Sequence, residues 1–574
     1  MVSPSTLDRV PAHLRHYVVQ QDYAEYTAAD QAVWRFVLLQ LYSRLRQTAH
    51  PAYADGLGRS GMSVDRIPAI AEMDRRLSEV GWGAVCVDGF IPPRAFVEFQ
   101  SLGILPIAAE IRTRQHLAYT PAPDIIHEAA GHAPILPEPA YADYLRRIGV
   151  VGARAFSVAA DERAYQAIYR LSELKEDPGA DPRELLEAER AVEQALARTQ
   201  EVSEAAQVAR LYWWTVEYGL MGTPKNYRLY GAGLLSSLGE SHFCHRPEVK
   251  KVPLEPGCVQ VGYDITRQQP QLFVARDFDH LNLVLEAVAQ SLAHRIGGKV
   301  ALERAAQSGE VATVELDSGA QIIGRLAGFE GRADVTHLRF EGETAIACAD
   351  RLLPGPRAAS PWLVVGRLRD GRGPGGIDPS ELARRAEAGR LELEWADGTC
   401  LRGQLGPIHQ GPRGAVAVSL TDASVELASG KIWRPTSGEL VVPLGSSVHT
   451  AFAGAADAAY WPSTEFSRTR VPKARSYPPE ERALLELFQR LQSIDPSGVG
   501  AASCLSALHQ ALQGFSGEWL LRWALLERAL AAGAAAPLVA ALATELEQLE
   551  LRYGGEQPIA SGLKHLLGER AAPA

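Results

Sequence analysis

Two histidines that stand five residues apart are the side chains of this sequence best suited to bind a metal. His127 and His132 occur in the stretch YTPAPDIIHEAAGH at 119–132, where an acid and a glycine lie between them. On an ideal helix, residues five apart differ by about 140°, at about 100° per residue, so the two imidazoles do not share one face. Convergence on one ion therefore requires a long side-chain reach or a helix distorted near Gly131. The spacing alone leaves a metal site and a purely structural role open.

One acid lies within a strongly apolar and aromatic segment further along the chain. Glu217 occurs in LYWWTVEYGL at 211–220. A buried carboxylate without a partner is costly unless it is neutralised or binds a cation, and a salt bridge would satisfy it. Together with His127 and His132 it would instead complete a two-histidine, one-carboxylate triad, which leaves positions on Fe(II) open for water, oxygen and a cosubstrate.

Helices are expected to carry these residues. Apolar residues recur with helical spacing within residues 1 to about 298, for example at 31–48, 139–148 and 205–220. After about residue 309 the sequence changes to short alternating runs punctuated by Gly and Asp, which predict strands and turns. We therefore expect a mainly α catalytic domain at 1–298, followed by a β-rich region and a helical C-terminal tail.

The β-rich region is predicted to span 308–445 and to contain an internal repeat. The stretch VELDSGAQIIGRL at 314–326 returns as LEWADGTCLRGQL at 393–405. This likeness predicts two small antiparallel β units of the SH3 kind, at about 308–353 and 388–445.

The remaining segments are predicted from their composition. Residues 354–379 are rich in Gly, Pro and Arg and are expected to separate the two β units, and 446–479 is expected to be a linker. Leu and Ala recur at helical spacing in 480–574, which predicts a helical tail. We expect this tail to pack onto the β units, with a role in assembly as the alternative.

Composition argues against several classes of partner. The net charge is −10 and no Lys/Arg cluster stands out, so nucleic acid is not an expected partner. No apolar run is long enough to cross a bilayer and the first 30 residues are polar, so we expect a cytoplasmic protein without membrane contact. The 6 cysteines are scattered without a disulfide or zinc-site spacing, so core positions are expected for them. The oligomeric state is left open.

Three motifs together resemble the catalytic domain of the pterin-dependent aromatic amino acid hydroxylases, with the phenylalanine hydroxylases as the nearest branch. They are YTPxPDIxHExxGH at 119–132, YWxTVExGL at 212–220 and YGAGLLSSxGE at 230–240, within a resemblance that covers roughly residues 20–290. The resemblance implies a non-haem iron(II) enzyme that uses a tetrahydropterin, O2 and a free aromatic amino acid. It implies that the iron ligands are His127, His132 and Glu217.

The resemblance also implies a substrate site. Arg112 would bind the amino acid carboxylate, for which a planar guanidinium offers a bidentate geometry. Ser236 would belong to the same site and would also orient His127. The other positions implied to line the substrate pocket are Thr120, Pro121, Pro123, Trp213 and Ile265.

For the pterin, the matching positions are Gly89, Ile91, Phe96 and Glu128, and Phe96 would offer a flat face to the bicyclic ring. The sequence departs from the family at Leu105, where a second aromatic contact is usual. Catalytic or supporting roles next to the iron are expected for Glu128, Ser236 and Tyr212.

Two positions favour phenylalanine as the substrate, with tyrosine as the product. Ile265 stands where tyrosine hydroxylases carry an acid, and Trp213 stands where tryptophan hydroxylases carry a smaller aromatic residue. The alternatives are the same chemistry on tryptophan or tyrosine, a zinc hydrolase with Glu128 as its general base, and a catalytically weak scaffold that binds a protein partner. The role of residues 300–574 is left open.

Overall fold

The computed structural model of the protein describes residues 2–89, 91–114, 117, 123–176, 181–197, 202–265, 267–332, 334–375, 377–386, 388–461, 477–555 and 557–568. Its N-terminal part is mainly helical, as the apolar periodicity predicts. The helices of this part are α1 (Pro4–Arg9), α2 (Ala28–Thr48), α3 (Pro51–Arg59), α4 (Ile70–Ser78), α5 (Pro93–Ser101), α6 (Pro139–Arg154), α7 (Ala159–Glu176), α8 (Pro182–Ala197), α9 (Glu204–Tyr212), α10 (Ala232–Ser236), α11 (Leu238–Phe243), α12 (Phe278–Ala289), α13 (Ala293–Ile296) and α14 (Gly298–Ser308).

Two small sheets lie among these helices, and the first of them positions two segments of the site. Its strands pair in parallel and are buried along their whole length, so their carboxyl ends lie at one edge of the sheet. Gly89 follows one strand and Arg112 follows the other. The second sheet has the order β4-β3-β6-β5. The strands are β1 (Gly83–Val87), β2 (Ile104–Ala108), β3 (Leu220–Thr223), β4 (Asn226–Leu229), β5 (Lys250–Pro253) and β6 (Gln271–Ala275).

Helix α2 runs through the centre of the main core. It begins with a capping box, in which the Thr27 hydroxyl accepts from the Asp30 amide and the Asp30 carboxylate accepts from the Thr27 amide. Many of its apolar side chains, among them Trp34 and Phe36, are fully buried. Because α10, α11 and β4 also contact α2, this helix supports the elements that carry the site from behind.

The β-rich region forms two sheets. One has the order β10-β9-β8-β7-β18, with β11 and β12 also paired to β9, and the other has the order β13-β14-β15-β16, with β17 paired to β15. The strands are β7 (Val311–Leu316), β8 (Ala320–Arg332), β9 (Val335–Cys348), β10 (Arg351–Leu352), β11 (Ala358–Ala359), β12 (Trp362–Gly366), β13 (Arg390–Glu394), β14 (Cys400–Gly411), β15 (Gly414–Glu426), β16 (Ile432–Trp433), β17 (Glu439–Pro443) and β18 (Val448–Ala453).

The predicted boundaries of this region need correction. The segment 354–379, which the sequence suggests as a separator, contributes β11 and β12 to the first sheet. The predicted linker 446–479 begins with β18, which pairs with β7, and its residues 462–476 lie outside the described part of the chain. Both quoted repeats form the first hairpin of a run of three strands, β7 to β9 and β13 to β15. That these runs are copies of one unit stays a prediction.

The helical tail packs on the N-terminal part, and the expectation that it would cover the β units is wrong. Phe36 of α2 makes edge-to-face contacts with Trp519 and Trp523, at centroid distances of 5.0 Å and 4.8 Å. The apolar faces of the tail and of α2 therefore belong to one core. Helix α15 (Pro379–Arg385) precedes the second sheet, and the tail helices are α16 (Pro479–Ser493), α17 (Ala501–Leu512), α18 (Leu520–Ala531), α19 (Ala536–Tyr553) and α20 (Ile559–Leu567).

Two smaller expectations are also tested by the structure. All 6 cysteines are free thiols, and 4 of them are buried, as their scattered spacing predicts. Within the described ranges, no helix combines the length and the apolar composition that a bilayer crossing requires.

The shared core predicts that the tail and the N-terminal part unfold together. Trp523→Ala is expected to lower the free energy of unfolding by about 3–5 kcal/mol, because the fully buried indole leaves a cavity beside Phe36. Urea denaturation followed by circular dichroism measures this change. Tyr460→Ala is the control, since its 71% exposed ring predicts a change within about 0.5 kcal/mol. An early, separate transition of the tail would contradict the shared core.

Candidate active site

The two histidines lie on a π-helical turn. His127–His132 is wound with hydrogen bonds between residues five apart, a wider turn than that of an α-helix. The Nε2 atoms of His127 and His132 are 3.2 Å apart. A Cβ atom on Gly131 would lie 2.6 Å from the carbonyl oxygen of Ala232 on α10, so only glycine allows the two segments to approach this closely. The distortion expected near Gly131 is thus confirmed.

Glu217 ends a second π-helical turn, Trp213–Glu217, which continues α9. The Tyr218 amide donates to the Trp213 carbonyl at 2.9 Å, five residues back. One carboxylate oxygen of Glu217 lies 3.2 Å from His127 Nε2, and the other lies 3.3 Å from His132 Nε2. The partner that an acid in this apolar segment requires is therefore the histidine pair.

The spacing of these atoms fits one metal ion. Neighbouring ligands of an octahedral ion with bonds of about 2.1 Å lie about 3.0 Å apart. The two imidazole nitrogens lie 3.2 Å apart, and each lies 3.2–3.3 Å from one carboxylate oxygen of Glu217. Glu128 is a second acid nearby, but its Oε2 lies 3.7 Å from His132 Nε2, farther than the oxygens of Glu217 lie from the histidines. Its carboxylate makes no ion pair with His127 within 4.0 Å. Glu217 is thus the better placed third ligand.

Burial and neighbouring charges shift the pKa values of the residues in this cluster. Burial lowers the pKa of His127, but the Glu217 carboxylate outweighs it and raises that pKa to about 9. Burial raises the pKa of Glu217, and the two histidines more than reverse this and hold it well below its usual range. Burial raises the pKa of the Glu128 carboxyl to about 7. Two further buried atoms, Glu128 Oε2 and His132 Nδ1, have no hydrogen-bond partner among the described residues. A donor set of this kind fits a cation.

Ser236 controls which nitrogen of His127 faces the other ligands. Its hydroxyl donates to the Ala232 carbonyl at 2.7 Å and lies 3.0 Å from His127 Nδ1. A hydroxyl has only one proton to donate, so its oxygen must accept from Nδ1–H. With one ring proton held at Nδ1, a cation can replace the second proton, which the raised pKa keeps on Nε2, and bind to that nitrogen.

Arg112 is buried and already holds a carboxylate of the protein itself. Its Nε and one terminal nitrogen each donate to Asp124 at 2.8 Å, and Asp124 also accepts from the amides of Arg112 and His127. Burial raises the pKa of Asp124, but the guanidinium outweighs it and holds that pKa below its usual range. The other terminal nitrogen of Arg112 does not contact Asp124 and lies 3.5 Å from the Ser236 carbonyl. It is the part of the guanidinium that can still contact a ligand. The sequence assigns no role to Asp124.

A stack of aromatic rings forms one wall of the site. Trp213 stacks on Tyr263 at a centroid distance of 4.2 Å and on Tyr218 at 4.6 Å. Its Nε1 donates to Gln269 Oε1 at 3.4 Å. Tyr263 and Gln269 were not among the predicted site residues. They lie in the stretch YDITRQQP at 263–270, whose large polar and aromatic residues are a signal that could have identified them.

The remaining predicted substrate positions are only partly placed. Ile265 is half-buried in the turn after Tyr263, and Pro123 is exposed just before Asp124. Thr120 and Pro121 lie outside the described residues.

Of the predicted pterin positions, Phe96 and Glu128 lie beside His132. Gly89 has a positive φ of 66°, and its amide donates to Glu110 at 3.0 Å. Ile91 is buried just before α5, and the Phe96 ring on α5 lies 6.3 Å from the His132 ring and 6.3 Å from the Tyr212 ring. The Tyr212 hydroxyl accepts from the Gln100 amide at 2.7 Å, so α5 also orients this tyrosine.

Comparison with known proteins identifies the family of the chain. The family model described as biopterin-dependent aromatic amino acid hydroxylase matches residues 13–170 and 194–320. The phenylalanine-4-hydroxylase of Mesorhizobium japonicum is 30% identical over 271 residues, which are 46% of this chain and 81% of that protein. The phenylalanine-4-hydroxylase of Chromobacterium violaceum is 30% identical over 42% of this chain and 69% of its own length.

A solved structure also aligns with part of the chain. The crystal structure of Chromobacterium violaceum phenylalanine hydroxylase with bound Fe(III) aligns with 50% of this chain and 90% of its own, at 26% identity and a TM-score of 0.38. The family assignment rests on the sequence relatives and on the family model. The chain therefore belongs to the biopterin-dependent aromatic amino acid hydroxylases, and it is an aromatic amino acid monooxygenase whose cofactors are iron and a reduced pterin.

Proposed function

We propose that this protein hydroxylates phenylalanine to tyrosine, with His127, His132 and Glu217 as the ligands of a non-haem iron(II) ion. The convergence of two Nε2 atoms and one carboxylate at 3.2–3.3 Å, beside an aromatic wall, carries the proposal. The relatives named phenylalanine-4-hydroxylase support it. When bound, the iron and the reduced pterin supply the electrons that activate O2, so that one oxygen atom enters the aromatic ring.

The protein contributes orientation and charge. Ser236 and Asp124 fix the side chain and the backbone of His127, at the Nδ1 atom and the amide respectively. Phe96, half-buried beside His132, offers a flat surface for the pterin ring, together with Gly89 and Ile91 on the loop before α5. With a pKa of about 7, Glu128 can hold or release a proton at Oε2 on the same side of the histidines. Tyr212 supports this side through its contact with Gln100.

The substrate is proposed to bind between Arg112 and the aromatic wall. The terminal nitrogen of Arg112 that lies 3.5 Å from the Ser236 carbonyl would donate to the amino acid carboxylate, while Asp124 keeps the guanidinium plane fixed. Trp213 and the half-buried Ile265 would contact the ring. The acid next to Ile265 does not change this apolar wall, because Asp264 accepts from Arg267 at 2.5 Å. A phenol hydroxyl without a partner in such a pocket costs about 1–3 kcal/mol, which favours phenylalanine over tyrosine.

The first prediction tests the ligand set. His127→Ala and Glu217→Ala should each lower iron affinity by at least about 100-fold and abolish hydroxylation, because two ligands do not hold the ion. Iron content after anaerobic loading and dialysis is the measurement. His245→Ala is the matched control, since His245 stacks on Tyr227, away from the triad. Full iron binding by Glu217→Ala would make Glu128 the third ligand and refute this assignment.

The second prediction concerns the link between Asp124 and Arg112. Asp124→Asn should raise the KM for phenylalanine by about tenfold or more, since a charge-assisted pair worth about 1.5–3 kcal/mol no longer orients the guanidinium. Steady-state kinetics at saturating pterin measure the change. Glu72→Gln, which removes an exposed ion pair on α4, is the control and should leave KM unchanged. An unaltered KM in Asp124→Asn would show that another group binds the carboxylate.

The third prediction concerns the choice of ring. The kcat/KM for phenylalanine should exceed those for tyrosine and tryptophan by at least about tenfold, the factor that corresponds to about 1.4 kcal/mol. Trp213→Phe should reduce the preference over tryptophan, because the smaller ring leaves room for an indole. Side-by-side kinetics at equal iron loading decide the matter. A preference of the unaltered protein for tryptophan or tyrosine would refute the pocket assignment and leave the iron site standing.

A further inference from the structure

The segment that carries Arg112 is connected to the C-terminal tail. It follows β2 as residues 109–114, and the Glu110 and Arg112 side chains tie it to the Gly89 loop and to Asp124. Arg114, two residues further, reaches out of the N-terminal part. It donates to Glu481 on α16 at 2.5 Å and to Glu518 just before α18. The tail thus contacts the substrate segment directly.

These ion pairs differ from ordinary surface pairs in their burial. The side chain of Glu518 is 5% exposed and that of Arg114 is 21% exposed, so solvent screens their attraction only weakly. Glu518 is itself held in place, because its other carboxylate oxygen accepts from the Leu521 amide at 3.1 Å. Removing one partner of such a buried pair leaves an uncompensated charge. Arg114 is therefore anchored to a fixed point on the tail.

We propose that the helical tail positions the amino acid site through Arg114, which acts as a positioning residue for Arg112. The proposal rests on the proposed function, since it takes Arg112 as the residue that binds the substrate carboxylate. The two arginines share one short non-helical segment, so a shift of Arg114 displaces the backbone of Arg112. Misplacement of a binding group by about 1 Å can cost about 100-fold in rate. The tail helices α16 and α18 would thereby form part of the catalytic unit.

A second ion pair across the same interface provides a matched control. Arg35 on α2 donates to both carboxylate oxygens of Glu527 on α18, at 2.8–3.0 Å. Its side chain is 35% exposed and that of Glu527 is 20% exposed, a degree of burial close to that of Arg114 and Glu481. This pair joins the tail to α2 and makes no contact with residues 109–114. Loss of Glu527 therefore weakens the interface without touching the substrate segment.

The test compares Arg114→Gln, Glu481→Gln, the double variant and Glu527→Gln in the full-length chain. Arg114→Gln should raise the KM for phenylalanine at least about threefold, with kcat and iron content within about twofold of the parent. Glu481→Gln should have a smaller effect, and the double variant should match Arg114→Gln alone, because the two residues act through one contact. Glu527→Gln should leave KM unchanged. Hydrogen–deuterium exchange of peptides that contain residues 109–114 should be faster in Arg114→Gln and unaltered in Glu527→Gln.

Each outcome bears on the proposal. An unchanged KM in Arg114→Gln overturns it, and so does an equal rise in Glu527→Gln, which would indicate general loosening of the interface. If the unaltered, iron-loaded protein hydroxylates no aromatic amino acid, the proposed function fails, and the exchange measurement alone decides the positioning role. Faster exchange confined to the Arg114 and Glu481 variants then supports that role, and equal exchange in all variants refutes it.

Discussion

Three polar groups must meet inside an apolar interior: the carboxylate of Glu217 and the imidazoles of His127 and His132. They belong to two helical segments, and each segment must also bury its own apolar side chains. The chain meets this constraint with two π-helical turns, each of which widens the helix where a ligand is needed. The close approach of α10 at Gly131 then brings Ser236 to His127. The surrounding helices and the two small sheets hold these segments in place.

Asp124 extends that constraint from the metal to the substrate. A single buried carboxylate accepts from the Arg112 guanidinium and from the His127 amide, so the group proposed to bind the amino acid and a proposed iron ligand share one anchor. The proposed substrate site and the proposed iron site are thus held in a fixed relation to each other through Asp124. Such rigid coupling is what a reaction without a protein nucleophile requires, since it depends on positioning.

The sequence predicts the composition of the site better than its geometry. The two histidines and the acid in an apolar helix leave a metal triad open beside structural roles, and the motifs that resemble the family favour the triad. The π turn at His127–His132 does not follow from periodicity, because it packs against Ala232 of α10, a contact between segments that are distant in the sequence. The pairing of Asp124 with Arg112 is equally a product of the fold. The tail was misplaced for the same reason: its amphipathic helices specify an apolar partner surface, but Phe36 and its neighbours on α2 become that surface only after folding.

Strand β18 has a consequence for the order in which the chain can be assembled. It follows the second sheet in sequence and pairs with β7, the first strand of the first sheet. Strands β13 to β17 therefore lie in sequence between β12 and β18, two strands of the first sheet. During synthesis these strands are complete once residue 443 has left the ribosome, whereas the first sheet must wait for residue 453. The part of the β region that begins first is thus the last to be finished.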